Sequence, residues 1–267
     1  MSPVWIGASM APRLNVTNLV LTLLFALLIQ VGANYANDYF DFIKGADTAQ
    51  RLGPQRAVQQ GWISPQTMWS ATLVVFGLAL LFALPLMILA GFWSFLVAPL
   101  CVALGILYTG GPKPLGYIGL GEVFVFLFFG PIATCGTYYL QTGACTWSVF
   151  VASLAPALLS CAILIANNLR DEESDRAAKK MTLVARFGHT FGQCEYIAAL
   201  LLAISVPFWL VFGFGYSRAL LFASVIALPA LMPIQKVFRK DLVPVLPQTA
   251  LLLILYTAVF CMMVNLW

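Results

Sequence analysis

Most of the ten acidic residues in this 267-residue chain fall in two clusters. The first reads Asn34-Tyr35-Ala36-Asn37-Asp38-Tyr39-Phe40-Asp41, with Asp47 shortly after it. The second reads Asn167-Asn168-Leu169-Arg170-Asp171-Glu172-Glu173-Ser174-Asp175. Residues three and four apart share a helix face, so Asn34, Asp38 and Asp41 line one stripe and Asn168, Asp171 and Asp175 another. Each stripe offers an amide and two carboxylates. Like charges gathered at a membrane helix end repel one another and resist desolvation. A divalent cation between the stripes relieves both costs. Hard oxygen donors suit Mg²⁺, which commonly takes one or two carboxylates together with substrate phosphates. Two such stripes facing each other would hold a diphosphate through bridging Mg²⁺. Lys44, Arg51, Arg56, Lys113, Lys180 and Arg186 lie close by in sequence and would neutralise its remaining charge. One aspartate at a helix end is an ordinary interfacial residue, but two matched clusters on one side are not.

A third stretch, Tyr108-Thr-Gly-Gly-Pro-Lys113-Pro-Leu-Gly-Tyr117-Ile-Gly-Leu-Gly-Glu122, is dense in glycine and proline and predicts a structured turn. It would lay Lys113 against phosphate and Tyr108 against substrate. The lone histidine, His189, reads as a loop residue. The six cysteines read as small buried apolar side chains, with no metal or redox spacing among them. No GxSxG, HExxH or P-loop pattern occurs.

The elements that must position these residues follow from composition. The chain is 61% hydrophobic and 9% charged, against about 25% charged in soluble domains. Its surface therefore has to face lipid, and the fold class is an all-α membrane helix bundle. A helix needs about 20 apolar residues to cross about 30 Å of hydrocarbon. Suitable runs lie at 15–37, 66–90, 92–108, 118–140, 147–168, 192–212, 217–235 and 246–264. A stub at 4–10 reads as the end of a ninth, truncated helix. One domain is expected over 1–267. The two longest connections, 38–65 and 169–191, both follow an acidic cluster. Of the 14 basic residues only Arg13 and Arg218 fall on the side opposite the clusters. The positive-inside rule then places the clusters in the cytoplasm. The net charge of +4 is no nucleic-acid signature.

The longer strings are those of a known family. Residues 37–47 resemble the first Asp-rich motif of the UbiA superfamily of intramembrane prenyltransferases, and Asp171–Asp175 resembles its second, DxxxD. NDYFDFIKGADT, GPQRAV, YTGGPKPLGYIGLGE and NNLRDEESDRAAKKMTLVARFG are similar to the branch that prenylates 1,4-dihydroxy-2-naphthoate in menaquinone or phylloquinone biosynthesis. The resemblance spans nearly the whole chain. In this chain Asp47 follows Asp41 by six residues where the family pattern has four, Lys179-Lys180 replaces a frequent glycine-basic pair, and the first helix is shorter.

The resemblance implies two Mg²⁺ ions held by Asp38, Asp41, Asp171 and Asp175, with Asp47, Asn34, Asn37 and Asn168 assisting. It implies a polyprenyl diphosphate donor and an aromatic acceptor attacking an allylic carbocation in a dry cavity, with diphosphate and CO₂ released to give demethylmenaquinone or its phytyl equivalent. The membrane would be a bacterial inner membrane, with a plastid membrane as the alternative. Two rivals stay open. One is the same chemistry on another acceptor, such as homogentisate or 4-hydroxybenzoate. The other is an ion or organic-anion transporter, which predicts acids deep within several helices.

Overall fold

A computed structural model describes residues 1–46 and 55–266. Among them every regular element is helical, as the composition requires. In chain order they are α1 (Ser2–Ser9), α2 (Val16–Ile43), α3 (Pro65–Ala90), α4 (Ser94–Leu107), a 3₁₀ turn (Leu115–Tyr117), α5 (Gly121–Leu127), a π segment (Phe128–Ile132), α6 (Ala133–Thr142), α7 (Trp147–Arg170), α8 (Glu172–Ala177), α9 (Leu183–Phe187), α10 (His189–Phe214), a 3₁₀ segment (Arg218–Ile226), α11 (Ala227–Arg239) and α12 (Val245–Met263).

Seven helical stretches are long and apolar enough to cross a membrane, counting α5–α6 with its π segment as one and Arg218–Arg239 as one. The 14-residue α4 is a shorter apolar helix of about 21 Å. With α1 as the stub, the expected pattern of eight runs and a short first helix is met. The outward faces carry large apolar side chains: Leu81, Ile88, Leu201, Phe212, Leu228 and Ile254 are each at least 60% exposed. Such a surface is compatible with lipid and not with water, so the protein is integral to a membrane.

The chain divides into two compact units: Met1–Leu19, Glu122–Arg170 and Phe187–Trp267 in one, Val20–Gly121 and Asp171–Arg186 in the other. In the first, α7 is the central helix and packs against α10, α12, α1, α6 and the π segment. Many of its inward positions are small: Ala152, Ser153, Ala155, Ala157 and Ala162 are all fully buried. Small residues let helix backbones approach closely where no hydrophobic drive separates protein from lipid. Gly130, in the π segment, shows the consequence. A Cβ there would lie 2.4 Å from that of Ala157. Pro131 in the same segment removes a backbone donor, and the wider turn accommodates it. In the second unit, Gly32 of α2 seats the ring of Phe76 from α3. Ala83, Met87 and Ala98 join α3 to α4, with Phe25 packed against them.

Three expectations are corrected by the fold. The connection read as starting at Asp38 starts later, because α2 continues to Ile43; polar residues past the apolar span can stay helical outside lipid. His189 is not in a loop but opens α10. Of the cysteines, Cys101 and Cys161 are buried, whereas Cys145 and Cys194 are exposed. An apolar residue in a membrane protein has no need of burial, so composition alone misplaces these two.

Candidate active site

Both aspartate pairs belong to the second unit. Asp38 and Asp41 ride on the last turns of α2, and the helical spacing aims both inward. They are 6% exposed each. Asp171 ends α7 with non-helical dihedrals (φ −98°, ψ 11°) and caps α8. The stripe expected for Asn168, Asp171 and Asp175 is therefore not one continuous helix. The Asp175 N–H still donates to the Asp171 carbonyl at 2.8 Å, which keeps the two residues one turn apart. Asp171 and Asp175 are 8% and 7% exposed.

The four carboxylates differ in how they are satisfied. Asp38 accepts the backbone N–H of Ala57 at 3.0 Å and of Val58 at 3.4 Å, one on each oxygen. Asp41 Oδ1 accepts the phenol of Tyr117 at 2.7 Å. Asp175 Oδ1 pairs with Lys180 Nζ at 3.2 Å, while its Oδ2 is buried without a hydrogen-bond partner. Burial pushes the Asp175 carboxyl up to about 6; Lys180 opposes this, and the carboxylates of Asp171 and Asp41 add to it. Asp175 thus senses the charge of Asp171 and of Asp41. Asp38 lies instead over the Ala57–Val58 turn.

The turn after α4 is folded around this group. Thr109 donates to Asn37 Oδ1 at 2.8 Å. Lys44 donates to the carbonyls of Thr109 and Gly111 and sits 4.9 Å from the Tyr117 ring centre. Its ammonium pKa is lowered by burial, with Asp41 acting in the opposite direction. Lys180 lies 5.9 Å from the same ring. The Tyr117 carbonyl accepts Met181 N–H at 2.9 Å, and Arg186 donates to the carbonyls of Met181 and Ile118. Gly119 has φ +79°, and a Cβ there would lie 3.2 Å from the Met181 carbonyl oxygen, so this turn favours glycine.

The remaining candidates separate. Tyr108 is half-buried and packs on Gly116, and Lys113 is exposed. Arg186 holds backbone carbonyls. Asn34 is exposed and donates to the Gln30 carbonyl of its own helix. Asn168, in the first unit, is 2% exposed and donates to Glu122 Oε1 at 2.8 Å. Arg56 is half-buried beside the Ala57 turn. Asp47 and Arg51 lie outside the described residues. Sequence reasoning missed Tyr117 and Thr109 as partners of the first acidic cluster. Both stand in the glycine-rich third stretch, which was the available signal.

These donors suit a hard cation. Asp175 Oδ2 is a buried oxygen lacking a partner, a costly arrangement that a cation removes. No three acidic, histidine or cysteine side chains among the described residues stand close enough to hold a metal by themselves.

Residues 1–254 match the model of the UbiA prenyltransferase family. The chain is 36% identical to a 1,4-dihydroxy-2-naphthoate octaprenyltransferase of Mycobacterium tuberculosis, over 96% of this chain and 89% of that protein. It is also 36% identical to the protein of that name in Escherichia coli, over 85% of this chain and 75% of that one. In fold it is similar to a UbiA homolog from Aeropyrum pernix (TM-score 0.77, 15% identity, 98% and 95% of the two chains). It is similar too to one from Archaeoglobus fulgidus bound to DMAPP and Mg²⁺ (TM-score 0.63, 16% identity, 97% and 93%). The buried aspartates, the membrane helices and these likenesses agree: the chain belongs to the UbiA prenyltransferase family and is a membrane-embedded prenyltransferase.

Proposed function

We propose that this protein transfers a polyprenyl chain from its diphosphate to 1,4-dihydroxy-2-naphthoate, with release of diphosphate and CO₂, at the cytoplasmic face of a bacterial plasma membrane. The observation that carries this reading is the buried group of Asp41, Asp171 and Asp175, with one oxygen of Asp175 unpartnered. It stands in a chain 36% identical to proteins named for that acceptor.

Asp38, Asp41, Asp171 and Asp175 are the residues to hold Mg²⁺, with Asp47 as a further candidate. Magnesium, when bound, supplies positive charge where the leaving diphosphate develops negative charge. Asp38 and Asp41 are held ready by the amides of Ala57 and Val58 and by the Tyr117 phenol, so they need little rearrangement. Asp175 keeps one buried oxygen open. Lys44 and Lys180 stand beside the two pairs and add donors for phosphate oxygens, and Arg56 and Lys113 would extend that positive rim.

As the bond from the prenyl carbon to the diphosphate oxygen breaks, its electron pair leaves with the diphosphate. The electron-rich ring of the acceptor then bonds to the allylic carbon, and its carboxyl group departs as CO₂. The apolar helix walls exclude water that would otherwise capture the cation.

The test is turnover by the purified protein with a polyprenyl diphosphate and a panel of aromatic acceptors. Diphosphate release that needs both Mg²⁺ and dihydroxynaphthoate is expected. Equal or faster release with 4-hydroxybenzoate or homogentisate would refute the acceptor. No release with any acceptor would refute the reaction.

A further inference from the structure

Tyr117 is named by neither acid motif, yet it touches the surroundings of both. Its phenol donates to Asp41 Oδ1 at 2.7 Å. Its ring lies 4.9 Å from Lys44 Nζ and 5.9 Å from Lys180 Nζ. Lys180 is the ion-pair partner of Asp175. Its carbonyl accepts Met181 N–H, one residue beyond Lys180, at 2.9 Å. One side chain and its own peptide therefore tie a carboxylate of the first pair to the lysine that neutralises the second.

The arrangement is over-determined. Gly116 N–H donates to the Tyr108 carbonyl and Tyr117 N–H to the Pro114 carbonyl, both at 2.9 Å, which fixes the 3₁₀ turn. Arg186 clamps the following Ile118 carbonyl at 2.9 Å. Two ammonium groups over one ring repel each other and persist together because the ring face attracts each and carboxylates balance them. Tyr117 thus sets where two positive charges stand before any phosphate arrives.

We propose that Tyr117 is a positioning residue for the diphosphate site. Its hydroxyl orients Asp41, and its ring holds Lys44 and Lys180 as a preset pair of phosphate-binding cations. This rests on the reading of the aspartate group as a Mg²⁺–diphosphate site, but not on the identity of the acceptor. It divides the side chain into two separable parts. The hydroxyl serves the metal-facing carboxylate, and the ring serves the phosphate-facing lysines.

The experiment compares Tyr117→Phe and Tyr117→Leu with the unaltered protein, using binding of geranyl diphosphate to the detergent-purified full chain over a Mg²⁺ titration. Phe removes only the hydroxyl. It is expected to raise the Mg²⁺ concentration for half-saturation about tenfold, the scale of one lost hydrogen bond to a charged group. Affinity for geranyl diphosphate at saturating Mg²⁺ should move less than about twofold in that variant, because a phenyl face still attracts ammonium ions. Leu removes the ring as well and should lower that affinity a further tenfold or so, as both lysines lose their platform. A residue that only stabilises the fold would shift the melting temperature and the amount of active protein without this split.

Wild-type Mg²⁺ dependence in Tyr117→Phe would overturn the inference, as would equal changes of both constants in the two variants. If the unaltered protein binds geranyl diphosphate with Mg²⁺ but does not prenylate dihydroxynaphthoate, the acceptor assignment falls and this inference stands on the binding data. If it shows no Mg²⁺-dependent binding, both fall together.

Discussion

The two aspartate pairs use the same residue type and are supported in different ways. Asp38 and Asp41 sit on an unbroken helix, and their oxygens already accept hydrogen bonds from two backbone amides and a phenol. Asp171 and Asp175 straddle the break between α7 and α8, and Asp175 has one oxygen on Lys180 and one on nothing. The first pair accepts neutral donors that keep its charge. In the second, Asp175 is paired with Lys180, which partly cancels its charge. What this teaches is that repeated sequence motifs need not be repeated sites: the first is pre-ordered, whereas the second has spare coordination to offer.

The largest way to break the comparison is to remove one carboxylate from each side. Asp38→Ala and Asp171→Ala should each lower turnover by about a thousandfold or more, since each removes charge aimed at the developing diphosphate. Both proteins should still insert, because the apolar spans that carry insertion are unchanged. Near-normal turnover in either purified variant would contradict its assigned role.

A smaller effect sharpens the asymmetry. Lys180→Met removes the ammonium that pairs with Asp175 Oδ1 and a cation from the Tyr117 ring. It should raise the KM for the prenyl diphosphate about tenfold, the scale of one charge-assisted contact. The Mg²⁺ requirement should rise little, because Asp175 stays available. A rise confined to the Mg²⁺ requirement would reverse the assignment of the two oxygens. The smallest effect is expected at Asn34→Ala. Its amide bonds the Gln30 carbonyl of its own helix, and steady-state kinetics should stay within about twofold of wild type, as for a surface change away from the site. A tenfold loss would put Asn34 back among the substrate-binding residues.

The spans were legible because hydropathy reports the very property that lipid selects. α3, α7 and α12 begin and end within two residues of the apolar runs that predict them. The ends of α2 and α10 were not, since helix continues past the membrane where side chains turn polar. The π segment at Phe128–Ile132 was invisible: Pro131 signals disruption, but its form depends on how Gly130 meets Ala157. At the site, Asp38, Asp41, Asp171 and Asp175 were readable from type and spacing. Tyr117 and Thr109 were not, because their importance lies in partners 76 and 72 residues away. Asn34 differs: spacing placed it on the stripe of Asp38 and Asp41, and its exposed side chain bonds its own helix.

The central claim is that both aspartate pairs hold divalent metal against one diphosphate. Electron paramagnetic resonance of the protein loaded with Mn²⁺ in place of Mg²⁺ and with geranyl diphosphate tests it most directly. A bound Mn²⁺ signal coupled to phosphorus is predicted, weakened alike by Asp41→Asn and by Asp171→Asn. A phosphorus-coupled signal that survives either substitution unchanged would contradict it.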